Sequence, residues 1–132
     1  LKKILKNKKV HDYSILLKID IEGDEYKIID QIKKFSNIIN TLIIEFHNTD
    51  KSINKKKIKK FLLNSKIFQL VHIHVNNYSF DIKNLPNCYE LTFVNKNKIK
   101  ISSKKTNLKY PLKGIDFPNY KRGNDVKLNF YE

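Results

Sequence analysis

SILLKIDIEGDEYKII, residues 14–29, decides the fold. Ile15, Leu16, Leu17, Ile19 and Ile21 form a nearly continuous apolar run, interrupted only by Lys18 and Asp20. Such a run reads as a strand covered on both faces, as in a parallel sheet. Gly23 breaks it. Asp24 and Glu25 then open a helical pattern, where negative charge suits the positive end of the helix dipole, and Tyr26, Ile28, Ile29 and Ile32 supply a buried stripe. This strand-turn-helix unit gathers Asp20, Glu22 and Asp24 at the carboxyl end of its strand. In an open α/β sheet, ligands bind along that rim.

Upstream, LKKILKNKKV (residues 1–10) places Leu1, Ile4 and Leu5 on one side of a short basic helix, and residues 11–13 lead into the strand. Downstream, the first helix is expected to end near Phe35, and residues 36–40 form a polar link. TLIIEFH (residues 41–47) is a second buried strand ending in Glu45 and His47. Asp50 and Ser52 offer helix-start chemistry. Ile53, Ile58, Phe61, Leu62 and Leu63 give the next helix its apolar face, with the lysines at 55–57 and 59–60 turned to solvent. FQLVHIHV (68–75) is a third strand, NNYS (76–79) a turn, and YELTFVN (89–95) a fourth strand with clear alternation. No helix separates the last two strands, which permits an antiparallel pair. The strand-helix-strand order before them says α/β with a parallel sheet. From Lys98 onward an irregular tail is expected to pack over the sheet edge.

A chain of 132 residues suits one domain, burying about two-thirds of the surface its unfolded form exposes. The net charge of +14 comes almost wholly from lysine; Arg122 is the only arginine, and alanine is absent. That is the imprint of an AT-rich coding sequence rather than of a nucleic-acid binder, for which arginine is the usual phosphate fork and base reader. Cys88 is alone, so no intramolecular disulfide forms and a reducing compartment fits. No apolar run approaches the roughly twenty residues of a membrane span, and no signal-peptide core follows the basic start. The expectation is a soluble, cytoplasmic protein without a membrane span. A start at Leu1 with no methionine anywhere suggests a piece of a longer chain.

LLKIDIEGDEYKII resembles the K-I-D-x-E-G-x-E strand-four signature of the FkbM-type S-adenosylmethionine-dependent methyltransferases. LIIEFH (42–47), HIHVNNYS (72–79), YELTFVNK (89–96) and PLKGIDFPN (111–119) follow in the order that family shows. The resemblance implies a partial Rossmann-like methyltransferase sheet, mostly parallel, holding strands four to seven, the last inserted antiparallel between its two predecessors. It implies S-adenosylmethionine as cofactor and a hydroxyl of a sugar or other small metabolite as acceptor. With only Gly23, Gly114 and Gly123, the chain has no glycine-rich cofactor turn. That turn and the first strands would lie upstream, leaving the carboxyl-terminal half of a catalytic domain with an exposed, self-associating sheet edge.

Oxygen methylation needs the acceptor hydroxyl held in line with the methyl group, and a base or metal to ease removal of its proton. Asp20, Glu22 and His47 are the candidate catalytic residues, with Asp20 also placed to contact cofactor. Glu22 and Glu25 could instead only cap the helix. Glu45 and His47, with Asp20 and Asn48, could form an oxygen/nitrogen site for a divalent metal, although their spacing is no metal signature and a structural hydrogen bond to backbone or lysine suits Glu45 better. His72 and His74 share a strand face. The resemblance implies that His74, Asn76 and Asn77 orient a hydroxylated acceptor. Glu90 and Thr92 share a face on the fourth strand, where pairing with a histidine would explain them. Tyr78, Asp116, Pro118 and Asn119 match the family without a chemical role. The rival readings are a non-catalytic α/β interaction domain and a basic nucleic-acid-binding module.

Overall fold

The computed structural model describes residues 15–100 and 109–128. The expected basic helix at 1–10, the connection at 11–13 and part of the tail lie outside these residues. Strand β1 (Ile15–Ile19) leads through a turn to helix α1 (Glu25–Ile32), which tightens into a 3-10 turn (Lys33–Phe35). Strand β2 (Ile39–Phe46), helix α2 (Ser52–Asn64), β3 (Phe68–Val75) and β4 (Tyr89–Asn95) follow. The four strands form one mixed sheet in the order β1-β2-β4-β3. β1 and β2 are parallel; β4 runs antiparallel to both β2 and β3.

The fold is therefore α/β, and the late strand does insert between its predecessors. Three strands point the same way, yet only one neighbouring pair is parallel, because β4 runs against both of its neighbours. The reason is local: residues 76–88 contain no crossover helix, only an irregular loop with a bridge between Phe80 and Pro86. A strand following such a loop returns antiparallel.

Alternation places the core on one face. Leu42, Ile44 and Phe46 of β2 and Leu91 and Phe93 of β4 point to the side where α1 and α2 lie, and Ile29, Ile32 and Phe61 pack down on them. Phe61 meets Phe93 edge-on at 5.4 Å, and Tyr26 tilts against Phe46 at 5.7 Å. Asn95, fully buried at the end of β4, is satisfied: its amide donates to the carbonyls of Ser36 and Ile39 and accepts from the Asn97 N–H.

Three local expectations are corrected. β1 stops at Ile19 and is not covered on both faces: Leu16 is 64% exposed, and among the described residues β1 is also an edge strand, bonded only to β2. The cap of α2 is Lys51, with no side-chain cap bond, rather than Asp50 or Ser52. Of the apolar face expected for α2, only Phe61 is buried and Ile58 packs partly; Ile53, Leu62 and Leu63 are exposed, because the helix meets the sheet along a narrow strip.

The tail, residues 109–128, is irregular as expected and packs beside edge strand β3. Its anchors are side-chain pairs: His72 with Asp116 at 2.8 Å, and His74 with Asp125 at 3.2 Å. Asn77 clasps it further, donating to the carbonyls of Tyr120 and Asn124 and accepting from the Tyr120 N–H at 2.7 Å. Gly123 lies so close that an added Cβ would sit 3.2 Å from the Asn77 amide nitrogen.

Candidate functional site

β1, β2 and β3 share a direction, so Asp20, His47 and Asn76 all follow the carboxyl ends of strands on one rim of the sheet. The turns there are tightly bent. Glu22 and Asn48 have left-handed backbones (φ 53° and 50°), as does Gly23 (φ 102°). Left-handed non-glycine residues cost energy and concentrate at functional rims.

His47 is the centre of the rim. The first turn of α1 holds it twice: the Tyr26 hydroxyl donates to the His47 carbonyl at 2.7 Å, and Glu25 Oε1 lies 2.8 Å from His47 Nδ1. Glu25 is 1% exposed, and the same oxygen accepts the N–H groups of Gly23 and Ile21. It both braces the turn that leads into the helix, which has no side-chain cap bond, and fixes the imidazole. With Nδ1–H assigned as the donor to Glu25, Nε2 is left facing the rim. There it lies 3.5 Å from Glu22, 3.8 Å from Glu45 and 4.0 Å from Asp20.

These acids shape each other's protonation. Burial works against charge on His47, but the Glu25 hydrogen bond and the charges of Glu25, Glu22 and Glu45 outweigh it and raise its pKa above 6.5. Asp20 is raised, first by desolvation and then by Glu45, with His47 partly opposing. Burial would raise Glu45 too, yet hydrogen bonds from the Cys88 thiol and the Asn76 amide, with the charge of His47, bring it below the usual carboxylate value. The Cys88 thiol is pushed well up, by burial and then by Glu45.

Asp20, Glu22 and His47 thus come together, but not by sharing a strand face. The strand has ended before Asp20, and the turn through Glu22 and Gly23 brings the two acids to one imidazole. Their donor atoms lie within 4.8 Å of one another, as do those of Glu45, His47 and Cys88. Either set has the spread to hold a divalent ion. Nε2 of His47 cannot serve at once as ligand and as proton acceptor.

A polar cavity of about 250 Å³ opens beside this cluster, lined by Glu45, His74, Asn76, Glu90, Asp116 and Asn119, with Ile115 and Phe117 at its tail side. Glu45 belongs to both places, and joins them. Asn76 reaches the cavity while its amide holds Glu45 at 3.0 Å. His74 lines it with its imidazole paired to Asp125. Asn77 is directed elsewhere, into the clasp on the tail. Glu90 pairs with Lys18 at 3.1 Å rather than with a histidine. Among the described residues Glu45 bonds to Asn76 and Cys88, not to backbone or lysine. A larger groove, about 510 Å³, lies on the helix side among Phe46, Ile58, Leu70, Leu85 and Leu91; its lining is mainly apolar and holds no histidine.

Sequence reasoning missed Glu25 as the partner of His47, and Asp125 altogether. A first-turn glutamate reads as a cap, and no spacing rule links Asp125 to a histidine 51 residues earlier. Comparison with known proteins returned no matching family, curated protein or solved structure. Among the described residues, no helix is long and apolar enough to cross a membrane.

Proposed function

We propose that this chain carries the proton-accepting and acceptor-binding part of an S-adenosylmethionine-dependent methyltransferase of the FkbM type, acting on a hydroxyl of a sugar or other small metabolite. One observation carries the reading: His47, held by Glu25, and the polar cavity meet at Glu45 on the carboxyl rim of the sheet. The residues quoted for the family resemblance supply this rim, namely Asp20, Glu22, Glu45, His47, His74 and Asn76.

The cofactor would supply a methyl group on a positively charged sulfur. Asp20 and Glu22, the more exposed acids of the rim, fit a cation by charge. Gly23 is the only glycine at this rim and no glycine-rich turn adjoins it, so these residues fit the reacting end of the cofactor and not its nucleoside.

The cavity orients the acceptor, with Glu45 and Asn119 able to take or give hydrogen bonds to hydroxyls. His47 accepts the hydroxyl proton at Nε2, and Glu25 stabilises the imidazolium that results. A raised pKa keeps that nitrogen basic near neutral pH. Glu45, anionic and 3.8 Å from Nε2, favours the same charge.

The test is transfer of labelled methyl from S-adenosylmethionine to hydroxylated sugars by the full natural protein. His47→Gln is expected to lower the rate about 100-fold or more. Transfer at an unchanged rate would remove His47 from the chemistry.

A further inference from the structure

The cavity beside Glu45 has a charge at odds with the chain around it. The protein carries 27 lysines and arginines against 13 acids, yet among the described residues no lysine or arginine lines this space, while Glu45, Glu90 and Asp116 do. Two of these acids are already matched, Glu90 by Lys18 and Asp116 by His72. Glu45 has, among the described residues, only the more distant His47 imidazole, 3.8 Å from its Oε1. That oxygen also takes the Asn76 and Cys88 bonds, and Oε2 accepts no hydrogen bond from the described residues. From the tail, Phe117, 70% exposed, and Ile115, 67% exposed, also line it. They offer an apolar face, and the exposed Asn119 amide beside them makes no hydrogen bond to the described residues. The volume, about 250 Å³, lies below the roughly 300–1,000 Å³ of pockets for drug-sized ligands, and suits a single ring.

A ligand that fits these walls is one ring with an apolar face, hydroxyls at its edge and a positive charge near Glu45. We infer that the cavity takes an amino sugar, a single hydroxylated ring bearing a primary amine, as the methyl acceptor. This rests on the methyltransferase reading for the ligand's fate and on the cavity alone for its chemistry. An ammonium donates a charge-assisted hydrogen bond to Glu45 Oε2, stronger than a hydroxyl would give. Phe117 and Ile115 cover the C–H face of the ring. Anionic sugars, uronates and sugar phosphates, are repelled by the same walls.

The test is binding of glucosamine, glucose, N-acetylglucosamine and glucuronate to the full natural protein, without S-adenosylmethionine, followed by ligand-observed NMR. Glucosamine is expected to bind about tenfold more tightly than glucose. N-acetylglucosamine, which has lost the charge, is expected to fall to the level of glucose or below, and glucuronate not to bind. Glu45→Gln is expected to erase the preference for glucosamine; the N-acetyl comparison reads the same charge in the unaltered protein should that variant not fold. Equal or tighter binding of glucose or glucuronate, or no sugar binding at all, would overturn the inference. The two readings separate, because sugar binding needs no cofactor: sugar preference without S-adenosylmethionine binding would sink the methyltransferase reading, and cofactor binding without sugar preference would sink the amino-sugar acceptor.

Discussion

Glu25 Oε1 and His47 Nδ1 stand 2.8 Å apart, the carboxylate 1% exposed at the start of α1 and the imidazole just beyond β2. This pair ties the first helix to the second strand and sets which ring nitrogen faces the rim. Its other carboxylate oxygen is buried with no partner among the described residues, so Glu25 is held through its first oxygen.

The His47 titration follows from that pair. By NMR its midpoint should lie above 6.5, and Glu25→Gln should lower it, with a stability loss of about 1–3 kcal/mol. Because the folded pKa is raised, the stabilisation is fully present below the unfolded value and is lost as pH rises through the folded pKa. Denaturant melts of the native protein and His47→Gln should therefore differ more at pH 5 than at pH 9. A midpoint below 6.5 would contradict the pairing.

Glu45 and Cys88 give an opposite pH response and a reactivity. Glu45 has a lowered folded pKa, so its contribution is present above the unfolded value and fades as pH falls through the folded one. Cys88 is 1% exposed and its thiol is pushed up mainly by burial. Alkylation by iodoacetamide at pH 8 should be at least about 100-fold slower than in denaturant. Because burial outranks Glu45 as the cause, Glu45→Gln should leave Cys88 slow while the protein stays folded.

Gly23→Ala should destabilise by about 1 kcal/mol or more. The cause is its φ of 102°; the added Cβ would meet the Asn48 amide at 3.4 Å, which is ordinary contact. The Gly23 N–H also donates to Glu25, so the His47 titration midpoint should shift in the same variant. Urea unfolding and NMR read the two effects.

In the core, Phe93→Ala should cost about 3–5 kcal/mol, since Phe93 is 1% exposed and faces Phe61. Leu63→Ala, at a site 73% exposed on α2, should stay within about 0.5 kcal/mol. Equal losses would mean that α2 packs by a different face.

Much of this order is written in local pattern. β3 and β4 have the bounds that alternation and the flanking NNYS turn predict, and α1 buries Tyr26, Ile29 and Ile32 as its stripe requires. The convergence of Asp20, Glu22 and His47 followed from placing strand ends on one rim. What stayed hidden depends on distant partners. Asp116 and Asp125 meet their histidines across 44 and 51 residues, and a left-handed glutamate at Glu22 breaks the rule that glycine takes such positions. The apolar residues of α2 overstate its contact, because helical spacing tells which residues share a face, not how much of that face meets the sheet.

Calorimetry of the full natural protein with S-adenosylmethionine is the most direct trial of the proposed function. One-to-one binding is expected, weakened about tenfold in Asp20→Asn as one negative charge leaves the rim. A flat titration, with no heat across temperatures and no competition by S-adenosylhomocysteine, would contradict it.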